Sequence, residues 1–172
     1  TINEAQLLEY QYTGVDPDGD PVTFALVNGP EGSAMTAAGL FSWTPTYLQA
    51  GVYDAVIASV SDGELLGMDT TSITVLNVNT PPTFVNTMPD TSIRETQLLE
   101  YQYTAIDAEG DTLTFAMVAA PDGATITVDG LFSWTPTLEQ AGVYDAVIAS
   151  VSDGEFVDVD TAKITVINSN LP

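Results

Sequence analysis

Short stretches of the chain alternate between apolar and polar residues with a period of two. In Leu8–Thr13, Leu and Tyr alternate with Glu, Gln and Thr, and Val22–Leu26 alternates in the same way. Successive side chains of a β-strand point to opposite faces, so this period in segments rich in Val, Ile, Thr, Tyr and Phe predicts strands. No window shows the period of an amphipathic helix. The pattern therefore predicts an all-β protein.

Turn-forming sequences separate these stretches. Asp-Pro-Asp-Gly begins at Asp16, Gly-Pro-Glu-Gly begins at Gly29, and Asp-Gly recurs at Asp62 and Asp153. Pro presets one backbone angle of a turn and Gly supplies the left-handed conformation, so these sites end the strands. About seven short strands in ~90 residues, with turns at intervals of about 8 to 12 residues, predict an antiparallel sandwich of two sheets.

Two features predict which residues form the core. The run Val52–Val60 is almost entirely apolar, which predicts a central strand buried on both faces. Phe41 and Trp43 lie two positions apart and are expected to share one face of a strand. Such a pair either packs between the sheets or offers an aromatic platform for sugar stacking. The apolar neighbours and the Thr-Pro-Thr corner after Trp43 favour the core.

The sequence contains a duplication. Ile2–Thr13 recurs with few changes from Ile93, and Gly39–Thr46 recurs from Gly130, each at an offset of 91 residues without a gap. Over 80 aligned positions 52 are identical, so the chain consists of two copies of one module. We assign the first module to residues 1–79 and the second to residues 80–172.

The two copies differ at their beginnings. The segment Asn77–Ser92 precedes Ile93, whereas only Thr1 precedes Ile2. By comparison with the second copy, the first lacks about ten residues of an opening segment. We therefore expect the chain to be part of a longer array. The missing strand is either outside this sequence or donated by another chain.

The charge of the chain excludes several classes of function. The chain has two basic and 24 acidic residues, which gives a formal net charge of -22. It has no histidine and no cysteine. Binding to nucleic acid or to acidic lipids depends on Lys and Arg, which are nearly absent here. Triads with His, thiol nucleophiles and ordinary zinc or haem sites are excluded as well. No apolar stretch approaches the ~20 residues that span a bilayer, so we expect no membrane insertion.

Acidic residues are concentrated in turns that both copies retain. A first loop carries three acids and a second carries Ser-Asp-Gly-Glu, so that the candidate ligands are Asp16, Asp18, Asp20 and Asp62 in the first copy and Asp107, Glu109, Asp111 and Asp153 in the second. Like charges on one turn repel each other, and almost no Lys or Arg is present to neutralise them. Oxygen ligands in an irregular loop suit Ca²⁺ better than Mg²⁺. We therefore predict Ca²⁺ binding at these loops, with solvated turns as the alternative.

The order of these motifs resembles a known family. In order and spacing, the sequence is similar to the cadherin-like and dystroglycan-type immunoglobulin-like repeats of prokaryotic extracellular surface proteins, and the segments that carry the likeness are Asp16–Phe24, Gly39–Thr46, Ala50–Tyr53, Ser61–Gly63 and Ile73–Phe84. The resemblance covers both modules. It implies seven-stranded immunoglobulin-like sandwiches in extracellular arrays, with calcium at the junctions of the cadherin relatives.

The resemblance also implies further ligands. It places the linker between modules at Asn77–Asn79, with Asn77 and Asn79 as ligands, and it matches Glu4 to the glutamate near the start of a module. The Asp-Arg-Glu motif of the family is replaced by Trp43–Thr46, and the linker carries amides in place of acids. One or two ions therefore fit this chain better than the three of a full cadherin junction.

Three interpretations of function follow. The first is a non-enzymatic extracellular spacer or adhesion segment that is stiffened by Ca²⁺ and contacts neighbouring repeats of the same protein, including homophilic contacts. The second is glycan binding, with stacking faces offered by Tyr10, Tyr12, Tyr47, Tyr53 or Trp43. The third is a fibre subunit that receives a strand from another chain. Catalysis is the weakest interpretation, because the acids lie in duplicated turns.

Overall fold

The computed structural model describes residues 1–169. Throughout this range the chain forms strands and turns and no helix, as the period of two predicts. The chain divides into two compact units, of which the first is Thr1–Asn79 and the second begins at Thr80. We call these units module 1 and module 2.

Module 1 is a sandwich of two sheets. Its seven strands are β1 (Ile2–Asn3), β2 (Leu8–Gln11), β3 (Thr23–Asn28), β4 (Ala34–Met35), β5 (Leu40–Trp43), β6 (Gly51–Ser61) and β7 (Leu66–Leu76). One sheet has the order β1-β7-β6-β3, and the other has the order β2-β5-β4. The all-β sandwich expected from the sequence is confirmed.

Module 2 repeats this architecture and adds a pair of short strands. Its strands are β8 (Thr83–Phe84), β9 (Thr91–Arg94), β10 (Leu99–Gln102), β11 (Ala105–Ile106), β12 (Thr114–Ala119), β13 (Thr125–Ile126), β14 (Leu131–Trp134), β15 (Gly142–Ser152) and β16 (Val157–Ile167). The two main sheets have the orders β12-β15-β16-β9 and β10-β14-β13, and β8 pairs with β11. The additional pair thus involves the opening segment that module 1 lacks.

One strand pair in each module departs from the antiparallel pattern. β1 runs parallel to β7, with Ile2 opposite Val75, and β9 runs parallel to β16, with Ile93 opposite Val166. All four of these residues are buried in the core of their module. The first strand of each four-stranded sheet therefore lies directly beside the last.

The apolar run Val52–Val60 lies in β6, between β7 and β3, and its central position is as predicted. The prediction of burial on both faces is wrong for the first half of the strand. Val52 is 61% exposed, whereas Val56 and Ala58 are buried, and the register shifts between Tyr53 and Val56. A sandwich has only two sheets, so the outward face of the first half of β6 meets solvent, whereas the neighbours Ala58 and Ser59 in its second half are both buried.

The aromatic pair of each module lies in the core. Phe41 and Trp43 are 2% and 1% exposed. The Trp43 ring packs edge to face against Tyr53, with ring centroids 4.9 Å apart, and its Nε1 donates to the Glu31 carbonyl at 3.1 Å. Module 2 repeats this contact between Trp134 and its tyrosine at 5.0 Å. The prediction that these rings are core is confirmed.

Candidate functional site

The first acidic loop of each module is organised by its first aspartate. The Oδ1 atom of Asp16 accepts the amides of Asp18 and Asp20 at 2.8 and 3.3 Å. In module 2, Oδ1 of Asp107 accepts the amides of Glu109 and Asp111, both at 3.0 Å. Each first aspartate therefore holds its turn together with one oxygen, a role that the sequence pattern of clustered acids did not indicate.

The turns require a left-handed residue between the acids. Gly19 has a φ of +89° and Gly110 a φ of +80°, a region that residues with a Cβ rarely adopt. Asp18, Asp20 and Asp111 are exposed. The spacing of acids around glycine is thus explained by the turn itself, and the exposed acids are in contact with solvent.

The second acidic loop is built in the same way. Oδ1 of Asp62 accepts the amides of Leu65 and Glu64 at 2.7 and 2.8 Å, and these hydrogen bonds hold the pKa of Asp62 below its ordinary value. Oδ1 of Asp153 accepts the two equivalent amides of module 2. Asp16 and Asp62 line the same shallow depression of about 150 Å³. The structure therefore brings together one acid from each loop.

A glutamate near the start of each module is buried and contacts the end of that module. Glu4 is 4% exposed, and its Oε2 accepts the Val78 amide at 2.8 Å. Glu95 is 2% exposed, and its Oε2 accepts the Ser169 amide at 2.7 Å. Sequence reasoning named Glu4 through the family likeness but missed Glu95, although the 91-residue offset relates the two.

Three carboxylate oxygens are enclosed without a donor. Within residues 1–169, Oε1 of Glu4, Oε1 of Glu95 and Oδ2 of Asp107 are buried and accept no hydrogen bond from the protein. Glu109 differs, since its two oxygens accept the amide and hydroxyl of Thr80 at 2.9 to 3.3 Å. Burying a charged oxygen without a partner costs free energy. Each of these oxygens could therefore serve as a ligand to a cation.

The acids do not form a preassembled cage. Across residues 1–169, no group of three or more acidic side chains lies close enough together to hold a metal ion. Asn77 is exposed and Asn79 is half-buried. The predicted ligands therefore fall into smaller groups within each module, and Ca²⁺ binding by them stays a prediction.

Module 1 also has an open groove. The groove has a volume of about 340 Å³ and is lined by residues of β2, β5, β6 and β7, among them Tyr10, Phe41, Val56 and Asp69. Tyr10 is 59% exposed, and its ring packs edge to face against Tyr12 at 4.8 Å. Burial, with smaller contributions from the negative charge of Asp69 and from Tyr10, raises the pKa of Tyr12.

Two family models match the chain. Residues 81–167 match the family described as "Putative Ig domain" (He_PIG), and residues 1–76 match the family described as "Bacterial Ig domain" (Big_9). Together with the two sandwiches, these matches define a tandem immunoglobulin-like repeat protein. The chain belongs to these immunoglobulin-like domain families. Such families are typically non-catalytic and are typical of extracellular proteins.

Solved structures share the fold. Drosophila N-cadherin EC1-4 matches with a TM-score of 0.53 at 16% identity, over 97% of this chain and 47% of that one. Mouse cadherin-23 EC22-24 matches with a TM-score of 0.51 at 18% identity, over 98% of this chain and 62% of that one. Human protocadherin-24 EC1-2 matches with a TM-score of 0.50 at 18% identity, over 98% and 93%. At these identities the likeness shows the fold alone.

A weaker likeness relates the chain to an enzyme. The endo-fucoidan hydrolase MfFcnA4 from glycoside hydrolase family 107 is 25% identical with a TM-score of 0.44, and this chain spans 27% of its length. Similarity at this level carries no information on activity.

Residues 1–169 include no helix that is both long and apolar enough to cross a lipid bilayer.

Proposed function

We propose that the chain is a non-enzymatic repeat segment of an extracellular protein, a spacer or adhesion segment stiffened by Ca²⁺. Three observations support this proposal. The chain is a tandem of immunoglobulin-like modules, its families are typical of extracellular proteins, and its acids are concentrated in turns. Extracellular modules bind calcium with dissociation constants of about 0.1 to 1 mM, so modest sites are sufficient there.

The observation that carries the proposal is that each module encloses a carboxylate oxygen that accepts no hydrogen bond from the protein. Glu4 binds the Val78 amide through one oxygen and leaves the other enclosed without a donor. In module 2, Glu109 binds Thr80 while Oδ2 of Asp107 is enclosed without a donor. The residues on both sides of the module boundary are thus held by carboxylates that have unused ligand capacity. A divalent cation bound at such an oxygen within its own module would offset the desolvation of that carboxylate.

The net charge favours the same interpretation. A chain with a charge of -22 repels itself in the folded state, and this repulsion lowers its stability. Within residues 1–169 one salt bridge is present, from Lys163 Nζ to Asp145 Oδ1 at 3.7 Å, and both side chains are largely exposed. The two basic side chains of the protein therefore neutralise little of its negative charge. Bound divalent ions would neutralise more of it.

The test is calorimetric unfolding of the full chain in 10 mM CaCl₂ and in chelator. One site with a dissociation constant of 0.1 to 1 mM would stabilise the fold by about 1.4 to 2.7 kcal/mol under these conditions. Because salt also screens repulsion, MgCl₂ at the same concentration and NaCl at the same ionic strength are the controls. A calcium response no larger than the magnesium response would remove calcium from the proposal. Small-angle scattering in the same buffers tests whether the ion narrows the distribution of chain dimensions.

Carbohydrate binding receives less support. Trp43 is 1% exposed, and the Tyr53 hydroxyl donates to the Gln49 carbonyl at 3.0 Å while its ring packs on Trp43. Trp43 therefore offers no stacking face, Tyr12, Tyr47 and Tyr53 are half-buried, and Tyr10 is the exposed ring of the groove. A glycan array with the Tyr10→Ala variant as control tests the remaining possibility. Fibre formation by strand donation is the third interpretation, in which a strand of another chain would lie in the groove of module 1.

A further inference from the structure

The four-stranded sheet of each module has an outer face that the other sheet does not cover. In module 2, the exposed residues Val157, Val159, Thr161 and Lys163 alternate along β16 with less exposed residues that point towards the core. Successive side chains of a strand point to opposite faces, so these four residues lie on the outer face. We call the outward residues of β9, β12, β15 and β16 outer face 2. The outward residues of β1, β3, β6 and β7 form outer face 1 of module 1.

Both outer faces carry exposed apolar side chains. On outer face 2, Val118, Val157 and Val159 are 61%, 58% and 55% exposed. The equivalent positions of outer face 1 are apolar and exposed as well, and they are Val27, Leu66 and Met68. Covering such side chains releases free energy in proportion to the apolar area removed from water. Each outer face is therefore suited to burial against a partner.

Serine hydroxyls on the outer faces already have hydrogen-bond acceptors. Ser150 Oγ donates to the Ala116 carbonyl at 3.3 Å, and Ser152 Oγ donates to the Phe156 carbonyl at 2.8 Å. The equivalent serines of module 1 donate to the equivalent carbonyls, and they are Ser59 and Ser61. A partner that covers these hydroxyls leaves no donor unsatisfied, so their burial costs little free energy.

The outer faces carry few of the chain's acidic residues. The chain has 24 acidic residues, and the outward positions of the strands in these two sheets hold two of them, Asp54 and Asp145. Two copies of a chain with a net charge of -22 repel each other. This repulsion is smallest where surfaces with few acids approach each other. The outer faces are thus the surfaces on which a second copy can be placed at the lowest electrostatic cost.

Outer face 2 contains both basic residues of the chain. Arg94 is exposed at the end of β9, and Lys163 is exposed in β16. Lys163 Nζ lies 3.7 Å from Asp145 Oδ1. Two basic residues and one acidic residue give the strands of outer face 2 a net charge of +1, in a chain whose total is -22. Outer face 2 therefore attracts an acidic partner.

Outer face 1 has the opposite charge. Asn3 and Ser72 stand where module 2 has Arg94 and Lys163. The Ser72 hydroxyl donates to Asp54 Oδ1 at 3.0 Å and leaves the negative charge of this carboxylate in place, so the strands of outer face 1 have a net charge of -1. Outer face 2 is therefore complementary in charge to outer face 1, whereas two copies of either face repel each other.

The size of the faces sets the strength of the contact. With strands about 4.8 Å apart and about 3.3 Å per residue, one outer face measures roughly 15 by 25 Å, or about 400 Å². Stable dimers bury about 800 Å² per partner. A single contact between two outer faces is therefore weak, and tandem repeats would strengthen it by engaging several faces at once.

We propose that outer face 2 is an interaction surface and that its partner is outer face 1 of a second copy of this chain. The exposed apolar side chains form the centre of the contact, and Arg94 and Asp54 carry the charges that select one face for the other. The proposal rests on the adhesion part of the proposed function, since it names the surface of a homophilic contact. It does not depend on calcium, and its tests are made in chelator, so that their failure leaves the calcium titration unaffected.

Sedimentation equilibrium of the full chain at up to ~1 mM, in chelator and 0.15 M NaCl, measures the association. This salt concentration screens much of the general repulsion. Association that increases with protein concentration is expected. On dilution of the ¹⁵N-labelled chain, the amides of Met68 and Val159 should shift, while that of Val128, between β13 and β14, should not. A monomer at every concentration, or shifts confined to other surfaces, would overturn the proposal.

A matched pair of variants locates the contact. Val159→Asp places a carboxylate in the apolar part of outer face 2 and should weaken association at least about tenfold, because the charge would be buried without a partner. Val128→Asp adds the same charge at a residue that is 66% exposed and lies outside the outer faces, and it should change the affinity little. Circular dichroism confirms that both variants are folded. Equal affinities of the two variants would contradict the proposal.

A charge exchange tests which faces meet. Arg94→Asp and Asp54→Arg should each weaken association about threefold, because each gives the two faces the same sign of charge. The double variant restores opposite charges and should recover the affinity of the parent chain. General repulsion predicts the reverse for Asp54→Arg, since this variant lowers the net negative charge. Stronger association of Asp54→Arg, or no recovery in the double variant, would overturn the pairing of outer face 2 with outer face 1.

Discussion

The Asp160 carboxylate accepts a hydrogen bond of 2.9 Å from the main-chain amide of Met88 in the interior of module 2. The matching carboxylate of module 1, Asp69, lies at an open groove. The two modules share a fold and 52 of 80 aligned residues, and this hydrogen bond is one of the contacts in which they differ. Each can serve as the control for a substitution made in the other.

Replacing Asp160 with Ala should destabilise module 2 by about 1 to 3 kcal/mol, because the buried Met88 amide would lose its acceptor. Asp69→Ala should cost about 0.5 kcal/mol or less, because the side chain is exposed. Urea unfolding measures both values, and hydrogen exchange at the Met88 amide should accelerate only in the first variant. Similar costs at the two sites would show that the hydrogen bond contributes nothing.

Met88→Ala should cost about 2 to 5 kcal/mol, because Met88 is 4% exposed and its removal leaves a cavity in the core. Val85→Ala is the matched control in the same segment, since Val85 is 61% exposed, and it should cost about 0.5 kcal/mol or less. Thermal and urea unfolding provide the measurement. If both variants were equally stable, the opening segment would not be part of the core.

Module 2 should lose stability in strongly alkaline solution. Burial, followed by the negative charge of Asp160, raises the pKa of the Tyr103 phenol well above its ordinary value. A phenol whose pKa is raised on folding contributes stability that is fully present below its unfolded pKa of about 10 and is lost as the pH rises through the folded value. Tyrosinate absorbance and unfolding, followed together above about pH 10, test this. Tyr103→Phe should flatten the alkaline dependence, and an unchanged profile would contradict it.

Glu4→Gln should separate calcium binding from stability. The amide oxygen of Gln can still accept the Val78 amide, so in chelator the variant should unfold within about 0.5 kcal/mol of the parent chain. In calcium it should lose the stabilisation that the ion provides, because a charged ligand has been removed. Glu9→Gln, at an exposed position of β2, is the control. Equal calcium responses of the two variants would exclude Glu4 as a ligand.

The strand pattern and the repeat were readable from the sequence because both are local properties. The alternation in Leu8–Thr13 and the turn at Asp16 place β2 and the loop that follows it. Burial was less predictable. Val52 and Val56 look alike in the sequence, but only Val56 meets the opposite sheet. Which face of β6 is covered depends on the sandwich and on a register shift, and neither is a property of the run itself.

The candidate sites show the same division. The acids of the first loop were found by their spacing, yet the structure gives Asp16 and Asp107 a role in holding turns. Glu95 was missed because burial of a glutamate leaves no local signal in the sequence, and the signal that could have found it was its 91-residue offset from Glu4. The groove was also beyond the sequence pattern, since it depends on which surface the segment Thr83–Asp90 covers in the other copy.

The parallel pairing of β9 with β16 has a mechanical consequence. The four residues Thr91–Arg94 lie beside Ile164–Ile167, so the strand that opens the sheet is bonded to the strand that closes it. A pulling force applied to the beginning of β9 and the end of β16 acts along these strands and loads their hydrogen bonds together in shear. The bonds cannot then break one after another, as they do when a hairpin is peeled apart. This geometry suits a module to bear tension along the polypeptide.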